Sequence, residues 1–116
     1  MNETALTIAE TRQGPVCIVA LTGRIDSSNA STLMTSIGKL IGAGEKAILI
    51  DFASIAYLTS AAFRALLVAS DQAEKNGAQL ALCGVAGQVR ELFEMGGLLQ
   101  AFAIHGSRED ACAKLA

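Results

Sequence analysis

Hydroxyl and carboxylate side chains cluster at two points of the 116-residue sequence. One cluster covers residues 26–29, with the sequence Asp-Ser-Ser-Asn, and the other is Thr59-Ser60. A serine becomes a nucleophile only when a base lies within hydrogen-bond reach. Ser60 has no base next to it in the chain, because its two neighbours are Thr59 and Ala61. We therefore expect these hydroxyls to serve binding or regulation, and we predict that the protein is not an enzyme.

Other candidates for catalysis or metal binding are few. Asp26 and Asp51 could pair for acid–base chemistry, but a helix cap and a strand-end role are the simpler explanations. The single histidine, His105, follows the last predicted strand and is interpreted as a surface residue near the sheet edge. The sequence contains no glycine-rich phosphate loop, no nucleophile elbow and no His/Cys cluster. It therefore predicts no catalytic residue, no cofactor and no metal site.

The three cysteines, Cys17, Cys83 and Cys112, each lie inside an apolar stretch. Their number is odd, and their spacing matches no metal-binding or redox motif. A free cysteine in such a setting behaves as a small buried hydrophobic residue. We expect all three to be buried, unpaired and without a redox role.

Composition narrows the class of protein further. The formal net charge is -2, 52% of the residues are hydrophobic and the mean hydropathy is +0.44. Such a charge provides no basic stripe for a nucleic-acid backbone. The apolar residues come in short runs, such as residues 16–21, whereas a membrane span needs about 20. The N-terminus shows no secretory signal pattern. We expect one domain, residues 1–116, that is cytoplasmic, does not insert into membranes and does not bind nucleic acid.

Strand and helix patterns alternate along the chain after an N-terminal hairpin turned by residues 13–15. Strands are predicted at residues 5–11, 16–21, 47–52, 80–83 and 101–104, and helices at about 30–41, 60–76, 86–95 and 108–115, the last capped by Ser107. This order predicts an α/β fold, in which a mostly parallel five-stranded sheet carries four helices and an N-terminal β-hairpin. Functional loops of such sheets lie at the carboxyl ends of the strands, here residues 23–29, 54–62 and 84–88.

Helical spacing also predicts which side chains face the core. For the second helix, the expected inward positions are Phe63, Leu66, Leu67, Ser70 and Ala73. Phe63, Phe93 and Met95 are all expected in the core, with Phe63 partly exposed. Thr59 is expected near the N-cap of this helix, which places Ser60 in its first turn.

Four short motifs in order give the sequence a family resemblance. They are Leu-Thr-Gly-Arg-Ile-Asp at 21–26, Ile-Asp-Phe at 50–52, Tyr-Leu-Thr-Ser-Ala at 57–61, and Val-Arg-Glu-Leu-Phe-Glu at 89–94 followed by Gly97-Leu98. Together they resemble a STAS domain, and the sequence is similar to bacterial anti-sigma factor antagonists over nearly its whole length. The resemblance implies the STAS-like fold.

The resemblance also implies a function. Family members of this kind bind an anti-sigma factor, often itself a serine kinase, and thereby free a sigma factor. Phosphorylation of one serine breaks the complex and a serine phosphatase restores it. Ser60 occupies the matching position here. The partner-binding surface implied around it comprises Asp26, Ser27, Ser28, Thr59, Ala62 and Phe63. The chain is expected to be a monomer or a weak dimer.

Two positions depart from the pattern that the resemblance implies. Thr59 stands where an acidic residue often precedes the phosphorylated serine, and Ala62 stands where a glycine often follows it. Ser60 could instead be an ordinary first-turn serine beside a threonine cap. The alternative function is a STAS subunit of a transporter or signalling assembly that is not phosphorylated. A small hydrolase or nucleotide-dependent enzyme is the third alternative.

Overall fold

The computed structural model describes residues 5–115, and these form one mixed sheet with helices on both faces. The strands are β1 (Thr7–Gln13), β2 (Val16–Ile25), β3 (Ala47–Leu58), β4 (Gln79–Cys83) and β5 (Ala103–His105). The helices are α1 (Ala30–Gly42), α2 (Ser60–Lys75), α3 (Gly87–Met95) and α4 (Arg108–Leu115). The predicted element order and fold class are therefore confirmed.

The strands lie in the sheet in the order β1-β2-β3-β4-β5, with β1 antiparallel to β2 and all other pairs parallel. Each βαβ crossover adds the next strand at the same growing edge of the sheet. Because such crossovers are right-handed, their helices all lie on one face. Leu33 of α1, Leu66 of α2 and Phe93 of α3 accordingly share the main core. Cys112 of α4 packs in a second, smaller core on the other face of the sheet.

Phe93 lies at the centre of an aromatic cluster in the main core. Its ring is fully buried and meets three other rings edge to face, at centroid distances of 5.8 Å to Phe52, 5.1 Å to Phe63 and 6.2 Å to Phe102. Edge-to-face contacts add to the free energy gained by burying the rings. The cluster fixes α2 and α3 against β3 and so fixes where the N-terminal end of α2 emerges.

Strands β2 and β3 are longer than predicted. They were expected to end at residues 21 and 52, but they remain paired as far as Ile25 and Leu58. Register shifts between Ala20 and Thr22 and between Gly23 and Arg24 let this pairing continue beyond the apolar runs. The predicted loops 23–29 and 54–62 are wrong at their starts, because residues 23–25 and 54–58 belong to strands. β1 begins two residues later than expected.

The buried face of α2 is also corrected. Its buried residues are Ala62, Ala65, Leu66, Ala69 and Ala73, whereas Leu67 is 42% exposed. Leu66 and Ala73 are therefore buried as predicted, and Phe63 is half-buried as predicted; Leu67 is wrong, and Ser70 is only half-buried. Alanines take the other buried positions, because small side chains let the helix approach its neighbours closely. Met95 was expected in the core but is 83% exposed, because it is the last residue of α3.

A buried carboxylate joins α4 to the sheet. Oδ2 of Asp51 in β3 accepts hydrogen bonds from Nη2 of Arg108 at 2.8 Å and from its Nε at 3.1 Å. Oδ1 accepts the N–H of Ala53 at 2.9 Å. Hydrogen bonds in which both donor and acceptor are charged are among the stronger ones in proteins. Asp51 therefore has a structural role, and the Ser107 hydroxyl caps α4 as predicted by accepting the Asp110 N–H.

The cysteines are buried and free, as predicted. Burial, with a further contribution from the nearby Asp51 carboxylate, raises the pKa of the Cys83 thiol to about 12. Burial likewise raises the pKa of Cys17. Reactive cysteines are thiolates, so these side chains pack as hydrophobic groups.

None of the helices described between residues 5 and 115 combines the length and the apolar character that a membrane-spanning helix requires.

Candidate functional site

The two polar clusters of the sequence meet where β2 and β3 end side by side. Ile25 is the register partner of Leu58, and the N–H of Thr59 donates to the Ile25 carbonyl at 3.0 Å. The chain then turns into residues 26–29 after β2 and into α2 after β3. The long paired ends of the two strands thus hold the β2–α1 turn next to the first turn of α2.

Ser60 is the first residue of α2, as the sequence predicted. Thr59 is the N-cap, with extended backbone angles of φ -111° and ψ 177°, and its carbonyl accepts the N–H of Ala62 at 2.9 Å. The side chain of Ser60 is exposed. It therefore lies at the positive end of the helix dipole, where the first backbone N–H groups lack helical partners.

The neighbouring hydroxyl of Thr59 has the opposite environment. Its Oγ1 is buried and has no hydrogen-bond partner among residues 5–115. It also makes no side-chain capping bond to α2. Of these two adjacent hydroxyls, only that of Ser60 is open to another molecule.

Asp26 organises the adjoining β2–α1 turn. Its Oδ1 accepts the hydroxyl of Ser28 at 2.5 Å and the N–H of Ser28 at 2.9 Å. Its backbone carbonyl accepts the N–H of Ala30 at 2.9 Å. The N-cap of α1 is Asn29. The interpretation of Asp26 as the helix cap is therefore wrong, because the Asp26 side chain closes a turn on Ser28 and leaves the N-cap position to Asn29.

The turn also fixes the charge of Asp26. The hydroxyl of Ser28, then its N–H, stabilise the carboxylate and lower the pKa of Asp26 below its ordinary value. Because the pKa is lower in the folded chain, this stabilisation is present above the unfolded pKa and is lost as the pH falls through the folded pKa. At neutral pH, Asp26 is an anion beside Ser60.

The hydroxyl contact can be tested directly. Replacing Ser28 by Ala removes the largest cause of the lowered pKa, so the pKa of Asp26 is expected to rise towards its ordinary value. Titration of the Asp26 carboxyl carbon by NMR measures this change. Ser27→Ala is the matched control, since Ser27 is an exposed serine next in the chain. Equal Asp26 pKa values in the two variants would contradict the contact.

The surface expected around Ser60 is only partly exposed. Ser27 and Ser28 are exposed, whereas Asp26, Thr59 and Phe63 are half-buried. Ala62 is 0% exposed and packs in the main core, so its side chain offers no surface to a partner. The expectation for Ala62 is corrected: a position two residues after the start of α2 faces the sheet.

Sequence reasoning missed a groove of about 320 Å³ between α1 and α2, which we call the α1–α2 groove. Apolar side chains supply much of its lining, and Arg64 stands among them; the lining includes Ser27, Ala30, Met34, Arg64, Ala65 and Val68. Arg64 is four residues after Ser60 on α2, a spacing that puts two side chains on one helix face. The four-residue spacing was therefore the sequence signal that could have placed Arg64 near Ser60.

Arg24 is a second cation at this end of the sheet. Its Nε lies 3.5 Å from Oδ2 of Asp26, and its guanidinium carbon lies 5.7 Å from the centre of the Tyr57 ring. Both contacts hold the side chain against the strand ends. Arg24 is therefore already engaged by the carboxylate of the β2–α1 turn and by an aromatic ring of β3.

The arrangement suits binding more than acid–base chemistry. Asp51 is held by Arg108 and Asp26 by its own turn, so the two carboxylates do not form a pair. His105 lies near the sheet edge, as predicted, but it is the last residue of the edge strand β5 instead of following it, and it is half-buried instead of fully on the surface. In the described part of the chain, no group of three His, Cys, Asp or Glu side chains could hold a metal ion.

Comparison with known proteins settles the family. The model of the STAS domain family matches residues 7–111. The chain belongs to the STAS domain family. The family prediction made from the four motifs is thereby confirmed, and the five-stranded sheet with four helices is the STAS fold.

Among its relatives, this STAS domain is 33% identical over 96 residues to a Bordetella bronchiseptica protein, BtrV, named as an anti-sigma factor antagonist; the match covers 83% of each chain. An anti-sigma factor antagonist from Mycobacterium paratuberculosis has the same fold, with a TM-score of 0.86 and 20% identity over 97% of this chain and 95% of that one. The phosphorylated form of the Bacillus cell fate determinant SpoIIAA matches with a TM-score of 0.71 and 17% identity, over 97% of this chain and 100% of the other.

Proposed function

We propose that this STAS domain is an anti-sigma factor antagonist whose binding is switched off by phosphorylation of Ser60. The observation that carries the proposal is the exposed hydroxyl of Ser60 at the first position of α2, held beside the β2–α1 turn. The name of the 33% identical relative supports the class of partner. The proposed partners are an anti-sigma factor that is also a serine kinase, and a serine phosphatase.

The unmodified site is a small polar surface. Ser27, Ser28 and Ser60 are exposed, while Asp26 is held in place by its turn. Short side chains on rigid elements lose little conformational entropy when a partner covers them. The partner would lie across the start of α2 and the neighbouring turn.

A phosphate on Ser60 changes that surface while leaving the fold intact. It adds about -1.5 to -2 charges at neutral pH, at the positive end of α2, where an anion is favourable. There is no acidic residue in the first turn of α2 to oppose it. Toward a covering partner, however, the same charge must be desolvated and paired, which is costly. Binding is therefore lost by electrostatics and bulk at the contact.

The two adjacent hydroxyls provide a sharp test of the acceptor. Incubation with ATP and the proposed partner kinase is expected to add one phosphate, seen as a mass increase of the intact chain. Ser60→Ala is expected to abolish the increase, because no other hydroxyl is presented at this position. Thr59→Ala is expected to keep it, since Oγ1 of Thr59 is buried and makes no capping bond.

Two outcomes would overturn the proposal. Equal phosphate uptake by the wild type and Ser60→Ala would place the acceptor elsewhere. No uptake by the wild type, with full binding to the kinase, would favour a STAS subunit that works without phosphorylation.

A further inference from the structure

Arg64 is a cation placed one helical turn after Ser60. Both residues belong to α2, and side chains four residues apart on a helix have Cβ atoms about 5–6 Å from each other. Helical side chains also tilt towards the N-terminus, so a side chain at position 64 extends over the turn that contains position 60. Arg64 can therefore reach Ser60 without any movement of the backbone.

Arg64 also has no counter-charge of its own. Within residues 5–115 its guanidinium forms no ion pair, whereas Arg12, Arg24 and Arg108 each have a carboxylate within 4.0 Å. Its side chain is exposed and lines the α1–α2 groove beside apolar side chains. Capture by a new anion would therefore break no existing ion pair within these residues.

We propose that Arg64 is the internal counter-ion of phosphorylated Ser60: the phosphate recruits this side chain and withdraws its charge from the α1–α2 groove. This inference rests on the proposed phosphorylation of Ser60. It adds a second effect of the modification, because the groove would lose its cation at the same time as the first turn of α2 gains an anion. A guanidinium fork matches phosphate oxygens well and can donate two hydrogen bonds.

Arg24 is the competing candidate and is less suited. Arg24 lies near the same end of the sheet, close to the end of β2. However, its Nε lies 3.5 Å from the Asp26 carboxylate, and its guanidinium lies over the Tyr57 ring. Recruiting it would leave Asp26 as an unpaired anion near the phosphate. The choice between the two arginines can therefore be measured.

The test uses the full chain with phosphoserine encoded at position 60, so it needs no kinase. A nearby cation favours the phosphate dianion and lowers its second pKa, which is about 6 in an unperturbed phosphoserine. Phosphorus NMR titration is expected to show this pKa about 0.4 higher in Arg64→Gln than in the wild-type sequence. Arg64→Lys, which keeps the charge, is expected to restore much of the difference.

Lys114→Gln is the matched control, since it removes the same charge from an exposed position on α4, which packs on the other face of the sheet. It is expected to change the phosphate pKa by less than about 0.1, because exposed distant charges are screened by salt. Equal changes in Arg64→Gln and Lys114→Gln would overturn the inference. A larger change in Arg24→Gln than in Arg64→Gln would also overturn it, by naming the other arginine.

A second measurement follows Arg64 itself. The Nε–Hε signal of its guanidinium is expected to move between the unmodified and phosphorylated chains, and an unmoved signal would contradict the contact. Failure here leaves the proposed function standing, because phosphate uptake is compared between the wild type and Ser60→Ala, in both of which Arg64 is unchanged. Failure of the kinase reaction, in turn, does not alter the pKa values measured with encoded phosphoserine.

Discussion

Replacing Ser60 by Asp is expected to weaken binding of the anti-sigma factor about a hundredfold, or roughly 2.7 kcal/mol. The substitution replaces the hydroxyl of the unmodified protein with a carboxylate, at the point that the proposed partner covers and shields from water. A true phosphate, with more charge and more bulk, is expected to approach a thousandfold, or about 4 kcal/mol. Titration calorimetry with the purified partner measures both values.

The fold is expected to tolerate the same change. An acidic side chain in the first turn of a helix is stabilising by about 0.3–1 kcal/mol, and α2 has none there. The melting temperature of Ser60→Asp should therefore equal or slightly exceed that of the wild type. Ser60→Asn is the matched control, since it has the same size without the charge and should bind far better than Ser60→Asp. If binding and melting temperature fall together, the loss reflects folding instead of recognition.

Replacing Gly84 by Ala is expected to destabilise the chain by about 3–4 kcal/mol, a large part of the total stability of a domain this size. Gly84 has φ +72°, and a Cβ there would lie 2.6 Å from the backbone N of Ala53 and 2.8 Å from Oδ1 of Asp51. Those two atoms are joined by a hydrogen bond that helps to orient the Asp51 carboxylate towards Arg108. The methyl group must therefore displace β3 or break that contact.

Gly77→Ala is the control that separates backbone strain from the clash. Gly77 has φ +69°, similar to Gly84, but a methyl group at this position would meet no other part of the described chain within 4 Å. The cost of the left-handed backbone alone is about 1 kcal/mol, so Gly77→Ala should lose only that amount. Urea unfolding followed by circular dichroism measures both variants. Equal losses in the two would show that the contact with Ala53 and Asp51 is unimportant.

Local pattern was enough to predict the helices and the place of Ser60. Helical spacing and glycine stops gave α1 and α2 nearly at their observed bounds, and Thr59-Ser60 stood where a helix of this pattern begins. Strand ends were harder, because β2 and β3 outlast their apolar runs. There, pairing between Ile25 and Leu58 holds polar and small residues in the sheet, which no single-strand pattern shows.

Sequence patterns could not predict contacts between residues that are far apart in the chain. Asp51 and Arg108 are 57 residues apart, and only the packing of α4 brings them together. The role of Asp26 depended on which backbone N–H its side chain would bind, and an Asp can equally cap a helix or close a turn. Ala62 was misplaced because the orientation of α2 is set by the sheet and the aromatic cluster, not by its own sequence.

The sequential strand order affects the tendency of this apolar chain to aggregate. Because every strand pairs with its chain neighbours, the sheet within residues 5–115 has β1 and β5 as its two edges. β1 is almost entirely exposed and carries Glu10 and Arg12, the latter paired with Glu45. β5 has only three residues. A charged edge and a very short edge are both poor templates for a foreign strand. The mean hydropathy of +0.44 thus comes largely from aliphatic residues in the central strands. The two edge strands protect the folded chain from edge-to-edge aggregation.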